Sequence, residues 1–187
     1  LLIAQKIYIN NPKEHVDIGS RIDGFIAHVA SFRPITVIDI REPPNQINNI
    51  SVIQADITDK LPSTLYEYCD SLSSLHAIEH FGLGRYNDPI NYEGYMYGLN
   101  NMYNILREGG KFYLSVPIGP QRIEFNAHRV FSLNYLMEIF EDKYVIDSFS
   151  FVDDDGDMHS EIELSKELIL NNCDCSYGNG IFEMTKI

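Results

Sequence analysis

The chain has 187 residues, 44% of them apolar, and a formal net charge of −13 at pH 7. A chain of this length fits one domain with a sizeable core, so residues 1–187 are interpreted as a single domain. The surplus of acidic side chains would repel a phosphate backbone, which argues against nucleic acid as a partner. No apolar run reaches the roughly 20 residues that a membrane span requires, and a cytoplasmic location is therefore expected.

Three short runs of apolar and β-branched residues come early in the chain: His15 to Ile18, Ile35 to Ile40 and Ile50 to Ala55. Each run is nearly continuous in apolar residues, which is typical of strands that are buried on both faces of a sheet. Between the first two, the segment Phe25 to Phe32 carries apolar residues at helical spacing. This order predicts a βαβ unit with a right-handed crossover.

Four more strands and two helices are predicted downstream. Ser71 to Leu75 is the fourth strand, and a helix from about Tyr92 to Arg107 follows a loop rich in glycine, asparagine and proline. A glycine pair ends this helix, and the run KFYLSVP predicts a fifth strand that stops at Pro117. Ser132 is the predicted N-cap of a helix over LNYLMEIF, and YVIDSFSFV and GIFEMTK predict the last two strands.

The alternation of strands and helices, with a strand pair at the end, predicts the α/β fold class. The expected architecture is a three-layer sandwich with a Rossmann-like, mostly parallel sheet of seven strands, in which a late strand is antiparallel. No metal site is predicted, because Cys173 and Cys175 lack further ligands nearby and the acidic run Asp153 to Asp157 does not match a calcium-binding loop.

Glycines and acidic residues come directly after the first three predicted strands. Gly19 and Gly24 bracket a tight turn that would let a ligand approach the backbone. Asp39 ends the second strand, where its carboxylate could bind the two hydroxyls of a ribose, and Asp56 follows the third strand at the adenine side. Because the ends of parallel strands meet at one edge of a sheet, a nucleotide site is predicted there. Its expected residues are Asp17, Gly19, Ser20, Gly24, Asp39, Ile40, Asp56, Ile57 and Leu75.

From about His15 to Phe140 the chain resembles the class I S-adenosylmethionine-dependent methyltransferases, and GIFEMTK is similar to their final antiparallel strand. The glycine-rich motif and the two acidic residues of that family fall on Asp17, Gly19, Gly24, Asp39 and Asp56. The resemblance implies S-adenosylmethionine as the cofactor. The middle glycine of the motif is replaced in this chain, where the turn has Ser20 and Arg21 after Gly19.

Two longer segments resemble a narrower family. HAIEHFGLGRYNDP and PIGPQRIEFNAHRVFS are similar to an uncharacterised, methyltransferase-like family known as a domain of unknown function. No helix is predicted before the first strand at His15, whereas extra N-terminal helices often cover the pocket in the superfamily. Substrate recognition is therefore expected from the later loops.

The residues His76, Glu79 and His80 lie just past the fourth strand, where the superfamily places the transferred methyl group. Transfer to a hydroxyl is helped by a base, and histidine is suited to that proton near neutral pH. We expect His80, and after it His76, to act as the base, with Glu79 as the orienting partner. The alternative is that the three residues only cap a helix or hold the following loop by hydrogen bonds.

Two later groups of polar residues are expected to contact the substrate. Arg85 and Tyr86 lie in the glycine-containing loop, and Asn126, His128 and Arg129 follow the fifth strand. Arg129 could bind a carboxylate, a phosphate or a sugar hydroxyl at the cleft. Alternatively, it pairs with one of the many acidic residues.

The resemblance predicts a methyltransferase that acts on a hydroxyl of a small molecule, with a sugar or a glycan precursor as one candidate. A non-catalytic binding module with the same fold is the main alternative, because the middle glycine is missing and no N-terminal helices are predicted to cover the pocket. The pattern His76-x-x-Glu79-His80 also matches a zinc peptidase motif, but that motif requires a long helix and a third ligand. A nicotinamide dehydrogenase is a further alternative, since Asp39 would serve its ribose equally well.

Overall fold

The computed structural model describes residues 1–41, 47–86 and 88–187. In these ranges the strands are β1 (His15–Ile18), β2 (Ile35–Asp39), β3 (Ile50–Gln54), β4 (Cys69–Leu75), β5 (Leu106–Ile118), β6 (Arg122–Glu124), β7 (His128–Val130), β8 (Tyr144–Val152), β9 (Met158–His159) and β10 (Gly178–Lys186). The α-helices are α1 (Leu2–Asn10), α2 (Ala27–Ala30), α3 (Gly94–Ile105), α4 (Leu133–Phe140) and α5 (Lys166–Leu170).

The centre of the fold is a sheet with the strand order β3-β2-β1-β4-β5-β10-β8-β9 among the described residues. Strands β1 to β5 run parallel, and β10 inserts antiparallel between β5 and β8. The order reverses between β1 and β4, and in open α/β sheets such a reversal leaves a crevice beyond the carboxyl ends of these strands. The predicted α/β fold with a late antiparallel strand is confirmed. The two-residue strand β9 adds an eighth, edge strand that the sequence did not predict.

Helices cover both faces of the sheet and complete the three predicted layers. On one face, α1 and α2 pack with Ile35 and Val37 of β2 and with Tyr113 of β5. On the other face, α3 and α4 pack against the apolar side chains of β4, β5 and β10. None of the helices in the described ranges combines the length and apolarity of a membrane-crossing segment.

Helix α1 corrects the expectation that no helix precedes the first strand. Ile3, Ala4 and Ile7 of this helix are buried, at the spacing of one helical face. Only three of its nine residues are buried, and the other positions include exposed apolar side chains such as Tyr8 and Ile9. The amphipathic signal is therefore weak in the sequence, and packing on the sheet stabilises the helix instead.

Two helix boundaries also differ from the prediction. Helix α3 ends at Ile105, before the glycine pair, and β5 starts at once with Leu106. Gly109 takes a positive φ of 72° in a bulge of β5, so its flexibility serves the strand rather than the helix end. The predicted helix over Phe25 to Phe32 is split into one irregular turn, Ile22–Ile26, and the short α2. The N-cap at Ser132 is confirmed, since its Oγ accepts a hydrogen bond from the Tyr135 amide at 3.3 Å.

Candidate functional site

A cavity of about 540 Å³ opens beyond the carboxyl ends of β1, β2, β3 and β4. This is the crevice that the reversal of strand order creates. Ten residues that the sequence assigned to the site line it together: Gly19, Ser20, Asp39, Ile40, Asp56, Ile57, Leu75, His76, His80 and Tyr86. The expected convergence of the first four parallel strand ends therefore occurs.

The turn after β1 forms the base of the cavity. Gly19 has a φ of 77°, and its amide donates to the Ile38 carbonyl of β2 at 3.0 Å. A Cβ at this position would lie 3.0 Å from the Cβ of Ala77, so only glycine fits here without displacing the neighbouring strand end. The replaced middle glycine of the motif falls on Arg21, and the amide of Ser20 before it donates to Asp17 Oδ1 at 3.0 Å. The turn is thus closed by a hydrogen bond to Asp17, although the middle glycine of the motif is replaced.

Asp17 lies behind this turn and does not line the cavity. Its side chain is fully buried, and the Ser73 hydroxyl donates to its Oδ2 at 2.5 Å. Burial raises the pKa of Asp17 to about 6. The Asp17 carboxylate therefore stabilises the turn through its hydrogen bond to the Ser20 amide. The expected direct contact between Asp17 and a nucleotide is corrected, because Asp17 does not reach the cavity. Gly24 likewise stands outside the cavity wall, at the kink before α2.

Asp39 and Asp56 both line the cavity at the ends of their strands. The Arg41 amide and Nε each donate to Asp39 Oδ1 at 2.8 Å, and a terminal guanidinium nitrogen pairs with Oδ2. The same guanidinium reaches the Gly19 carbonyl at 3.2 Å. Asp56 Oδ1 accepts from the amide and the hydroxyl of Thr58 at 2.8 and 2.7 Å. Arg41 was not predicted, although an arginine two residues after a strand-end acid is a signal for such a pair.

His76 is the first residue after β4, and its backbone is left-handed, with a φ of 54°. A non-glycine residue is uncommon in this conformation, and its amide bond to the Ser115 carbonyl at 3.0 Å anchors it to β5. Its Nδ1 lies 3.1 Å from Glu79 Oε1, and half of the imidazole remains exposed. Since the carboxylate accepts a hydrogen bond from the protonated Nδ1, the free lone pair of neutral His76 is on Nε2.

The Glu79 side chain is 2% exposed, and its Oε2 has no hydrogen-bond partner among the described residues. Oε1 faces both histidines, because it lies 3.8 Å from Nε2 of His80 as well. The Nδ1 of His80 is 2.6 Å from the Ala127 carbonyl, which fixes a proton on that nitrogen. Glu79 is thus the shared acidic partner of the pair, and its hydrogen bond goes to His76.

The loop after this turn closes one side of the cavity. Asp88 accepts hydrogen bonds from the amides of Gly82, Gly84 and Tyr86, at 2.7, 3.3 and 3.1 Å. The Tyr86 ring meets the edge of His80 at 5.4 Å between centroids. Arg85 is exposed and packs its guanidinium on the Tyr86 ring, outside the cavity wall. Asp88 was missed because it contacts backbone groups, which no sequence pattern marks.

The expected role of Arg129 at the cleft needs correction. Its side chain is buried, and it donates to the carbonyls of Phe81, Tyr92 and Glu79 at 2.6, 3.0 and 3.5 Å. It also stacks 4.6 Å from the centroid of the Tyr95 ring. Within the described ranges, the guanidinium therefore reaches neither the cavity nor an acidic side chain. The long side chain of Arg129 points inward from the short strand β7. Which groups it contacts depends on tertiary packing and not on the local sequence.

The other two residues expected at this place also lie outside the cavity wall. Asn126 is exposed at the tip of the β6–β7 hairpin. His128 Nε2 is 3.6 Å from Glu124 Oε2, and its ring packs on Tyr177. The hairpin acts on the site instead through the Ala127 carbonyl and Arg129, which hold the His80 turn.

The zinc peptidase alternative is contradicted by the local structure. Its motif requires both histidines on one long helix, whereas His76 is left-handed and Ile78–His80 is a single 3₁₀ turn. In the part of the chain that the structure describes, no group of three histidine, cysteine or acidic side chains is arranged to hold a metal ion.

Solved structures with a similar fold include two enzymes crystallised with S-adenosylhomocysteine. One is the 1,6-didemethyltoxoflavin-N1-methyltransferase of Burkholderia thailandensis, which is 14% identical with a TM-score of 0.66, over 98% of this chain and 76% of that one. The other is the N-methyltransferase NodS of Bradyrhizobium japonicum, which is 12% identical with a TM-score of 0.64, over 99% and 84%. These likenesses show the class I methyltransferase fold and confirm that resemblance.

No curated protein matches the chain. The model of a family described as Caenorhabditis protein of unknown function, DUF268, matches residues 28–175. This match covers well over half of the chain and includes the turn around Glu79 and the β6–β7 hairpin. The chain therefore belongs to the DUF268 family.

Proposed function

We propose that the chain is an S-adenosylmethionine-dependent methyltransferase that acts on a small molecule. One observation carries the proposal: a single cavity joins the glycine turn and Asp39, which suit a nucleoside, to His76, which suits a proton transfer because Glu79 is paired with it from behind. The likeness to two enzymes crystallised with S-adenosylhomocysteine supports the same cofactor. A non-catalytic module would not need the second half of this site.

The cavity wall fits the cofactor by chemistry. Gly19 presents backbone without a side chain, the Asp39 carboxylate is an acceptor for two ribose hydroxyls, and Ile57 offers an apolar surface to an adenine. In this structure Arg41 donates two hydrogen bonds to Oδ1 of Asp39, and its guanidinium also donates to Oδ2. We therefore propose that Arg41 turns away from Asp39 when a ribose binds. The residues that would hold the cofactor are Gly19, Ser20, Asp39, Ile40, Asp56, Ile57 and Leu75.

Bound S-adenosylmethionine supplies an activated methyl group, so the chain has to orient the acceptor and remove its proton. His76 Nε2 is the proposed base, because Glu79 engages Nδ1 and leaves the Nε2 lone pair free. When His76 takes the proton it becomes positively charged, and the buried Glu79 carboxylate at 3.1 Å compensates that charge. His80 is held by the Ala127 carbonyl and stands as the second candidate.

The acceptor that this arrangement favours is a hydroxyl. A neutral amine can attack a methyl group without losing its proton first, whereas a hydroxyl gains from a base at this position. We propose a small hydroxyl compound, with a sugar or a glycan precursor as the first class to test. Nucleic acid is disfavoured by the charge of −13. The cytoplasmic location and the single domain stay predictions.

Calorimetry with S-adenosylhomocysteine tests the cofactor half of the proposal. The wild-type chain should bind it, and Asp39→Ala should weaken binding by about tenfold or more through the lost ribose contacts. Asp155→Ala is the matched control, because this exposed aspartate lies in the β8–β9 turn, away from the cavity. Absence of binding heat with both S-adenosylmethionine and S-adenosylhomocysteine would contradict the proposal.

A further inference from the structure

We infer that His15 is a positioning residue for the cofactor turn, and that it acts through Ser73 and Asp17. The inference rests on the proposed function, since it concerns how tightly the turn after β1 holds a cofactor. His15 lies on β1 inside the sheet and does not line the cavity. Its influence therefore has to travel through hydrogen bonds.

The register of the sheet brings four polar side chains together. His15 of β1 pairs with Ser71 of β4, and Asp17 pairs with Ser73. Residues two apart on a strand share a face, so all four side chains point to the face that α1 and α2 cover. Each of them is at most 2% exposed. Buried polar groups of this kind persist only when their hydrogen bonds are made.

The direction of every hydrogen bond in this row is determined by chemistry. Ser73 Oγ lies 2.5 Å from Asp17 Oδ2. A carboxylate can only accept hydrogen bonds, so the Ser73 hydroxyl donates its single hydrogen to Asp17. Ser73 must then accept at 3.2 Å from His15 Nε2, which carries a proton. His15 Nδ1 is consequently an acceptor, and the Ser71 hydroxyl donates a hydrogen bond to it at 2.8 Å. The row ends on the negative charge of Asp17.

The far end of the row reaches the cavity. Asp17 Oδ1 accepts a hydrogen bond from the Ser20 amide at 3.0 Å, and Ser20 lines the cavity. Three consecutive hydrogen bonds thus connect the His15 ring to the cofactor turn. In a dry interior such bonds strengthen one another, so loss of the His15 donor weakens the Ser73 bond and leaves Asp17 less firmly fixed.

His15 stays neutral while it does this, because burial lowers its pKa to about 3. The charged groups that face it are Arg33 and Asp70, which act in opposite directions. The group that titrates near neutral pH is Asp17, whose pKa burial raises to about 6, with a smaller contribution from the charge of Asp39. The Ser73 bond opposes this rise, since it stabilises the carboxylate form.

The experiment is calorimetry with S-adenosylhomocysteine on the full chain between about pH 5 and pH 8. Wild-type affinity should fall as the pH drops through about 6, where Asp17 takes a proton. His15→Leu removes the donor, and it should weaken binding about fivefold at pH 7 and move the midpoint to higher pH. Ser73→Ala should do the same more strongly. His15→Gln, whose amide can both donate and accept, should restore the wild-type profile.

Ser150→Ala is the matched control. Ser150 is also a buried serine of the same sheet, but it lies on β8 and its hydroxyl accepts from the Glu161 amide. Its loss should lower the melting temperature without changing affinity or the pH midpoint. If His15→Leu and Ser73→Ala behave like Ser150→Ala, the inference is overturned and His15 is only structural. If the wild-type chain binds no cofactor at all, the proposed function fails first and the inference falls with it.

Discussion

Nδ1 of His76 lies 3.1 Å from Oε1 of Glu79, at the point where β4 gives way to a single 3₁₀ turn. The Glu79 carboxylate is buried, and the His76 imidazole is half exposed. Solvent therefore reaches the imidazole but not the carboxylate. This is the arrangement of a base whose tautomer is fixed by an acid behind it. On this geometry we propose His76 ahead of His80 as the base, because the orienting carboxylate bonds to His76.

Replacement of Glu79 by glutamine should separate catalysis from cofactor binding. The amide no longer compensates a charged His76, so methyl transfer to a hydroxyl acceptor should fall by about 100-fold or more. The Kd for S-adenosylhomocysteine should stay within about twofold, since Glu79 does not line the cavity. Turnover is measured with tritiated S-adenosylmethionine and an acceptor found by screening.

His76→Ala and His80→Ala, compared in the same assay, identify the base. A larger loss for His76→Ala is expected. A larger loss for His80→Ala would reverse the assignment, and equal, small losses for both would show that neither residue carries the proton.

Removal of Arg41 should strengthen cofactor binding. Its guanidinium pairs with Asp39, whose carboxylate has to be released for a ribose. The pair is partly exposed, so its release costs at most about 1 kcal/mol, and Arg41→Ala should lower the Kd for S-adenosylhomocysteine by up to about fivefold. Arg21→Ala is the control, because Arg21 also lines the cavity but pairs with the exposed Asp23. Weaker binding by Arg41→Ala would mean that Arg41 itself contacts the cofactor.

Arg129→Met should destabilise the fold. It leaves the carbonyls of Phe81 and Tyr92 without their donor and removes a cation from the Tyr95 ring. We expect a loss of about 3 kcal/mol in the free energy of unfolding, measured by urea denaturation. Arg21→Ala, at the exposed ion pair with Asp23, should cost less than about 1 kcal/mol. Equal losses in the two variants would contradict the clamping role of Arg129.

Asp17→Asn should change how stability depends on pH. The folded chain raises the pKa of Asp17 from 3.8 to about 6, so the folded state binds more protons than the unfolded state within that window. Stability from this group is therefore present at low pH and is lost as the pH rises through about 6. Asn does not titrate, so the free energy of unfolding of the variant relative to wild type should rise by about 2 to 3 kcal/mol from pH 4 to pH 7. A constant difference would show that Asp17 has an ordinary pKa.

The sequence predicted the parts of the site that depend on strand order. Gly19, Asp39 and Asp56 each lie at or just after the end of a strand with a clear apolar run, and parallel strands bring their ends together whatever the details of packing. The His76 turn was found for the same reason. These residues converge because topology alone decides their place.

The remaining parts depend on the direction of single side chains. Asp17 was expected to face a nucleotide, but the parity of β1 turns it to the face of His15 and Ser73. That parity is visible in the sequence, since His15 and Asp17 are two residues apart. Arg129 gave no such signal, because the carbonyls that it binds come from two distant segments.

The hairpin of β6 and β7 supports the acceptor side of the cavity, through the Ala127 carbonyl on His80 and the Arg129 clamp on the turn below. The cofactor side is built by β1, β2 and β3, which the hairpin does not pair with. The two halves of the cavity are thus supported by different strands. Under the proposed function, we therefore expect changes in the hairpin to alter the choice of acceptor while cofactor binding is preserved.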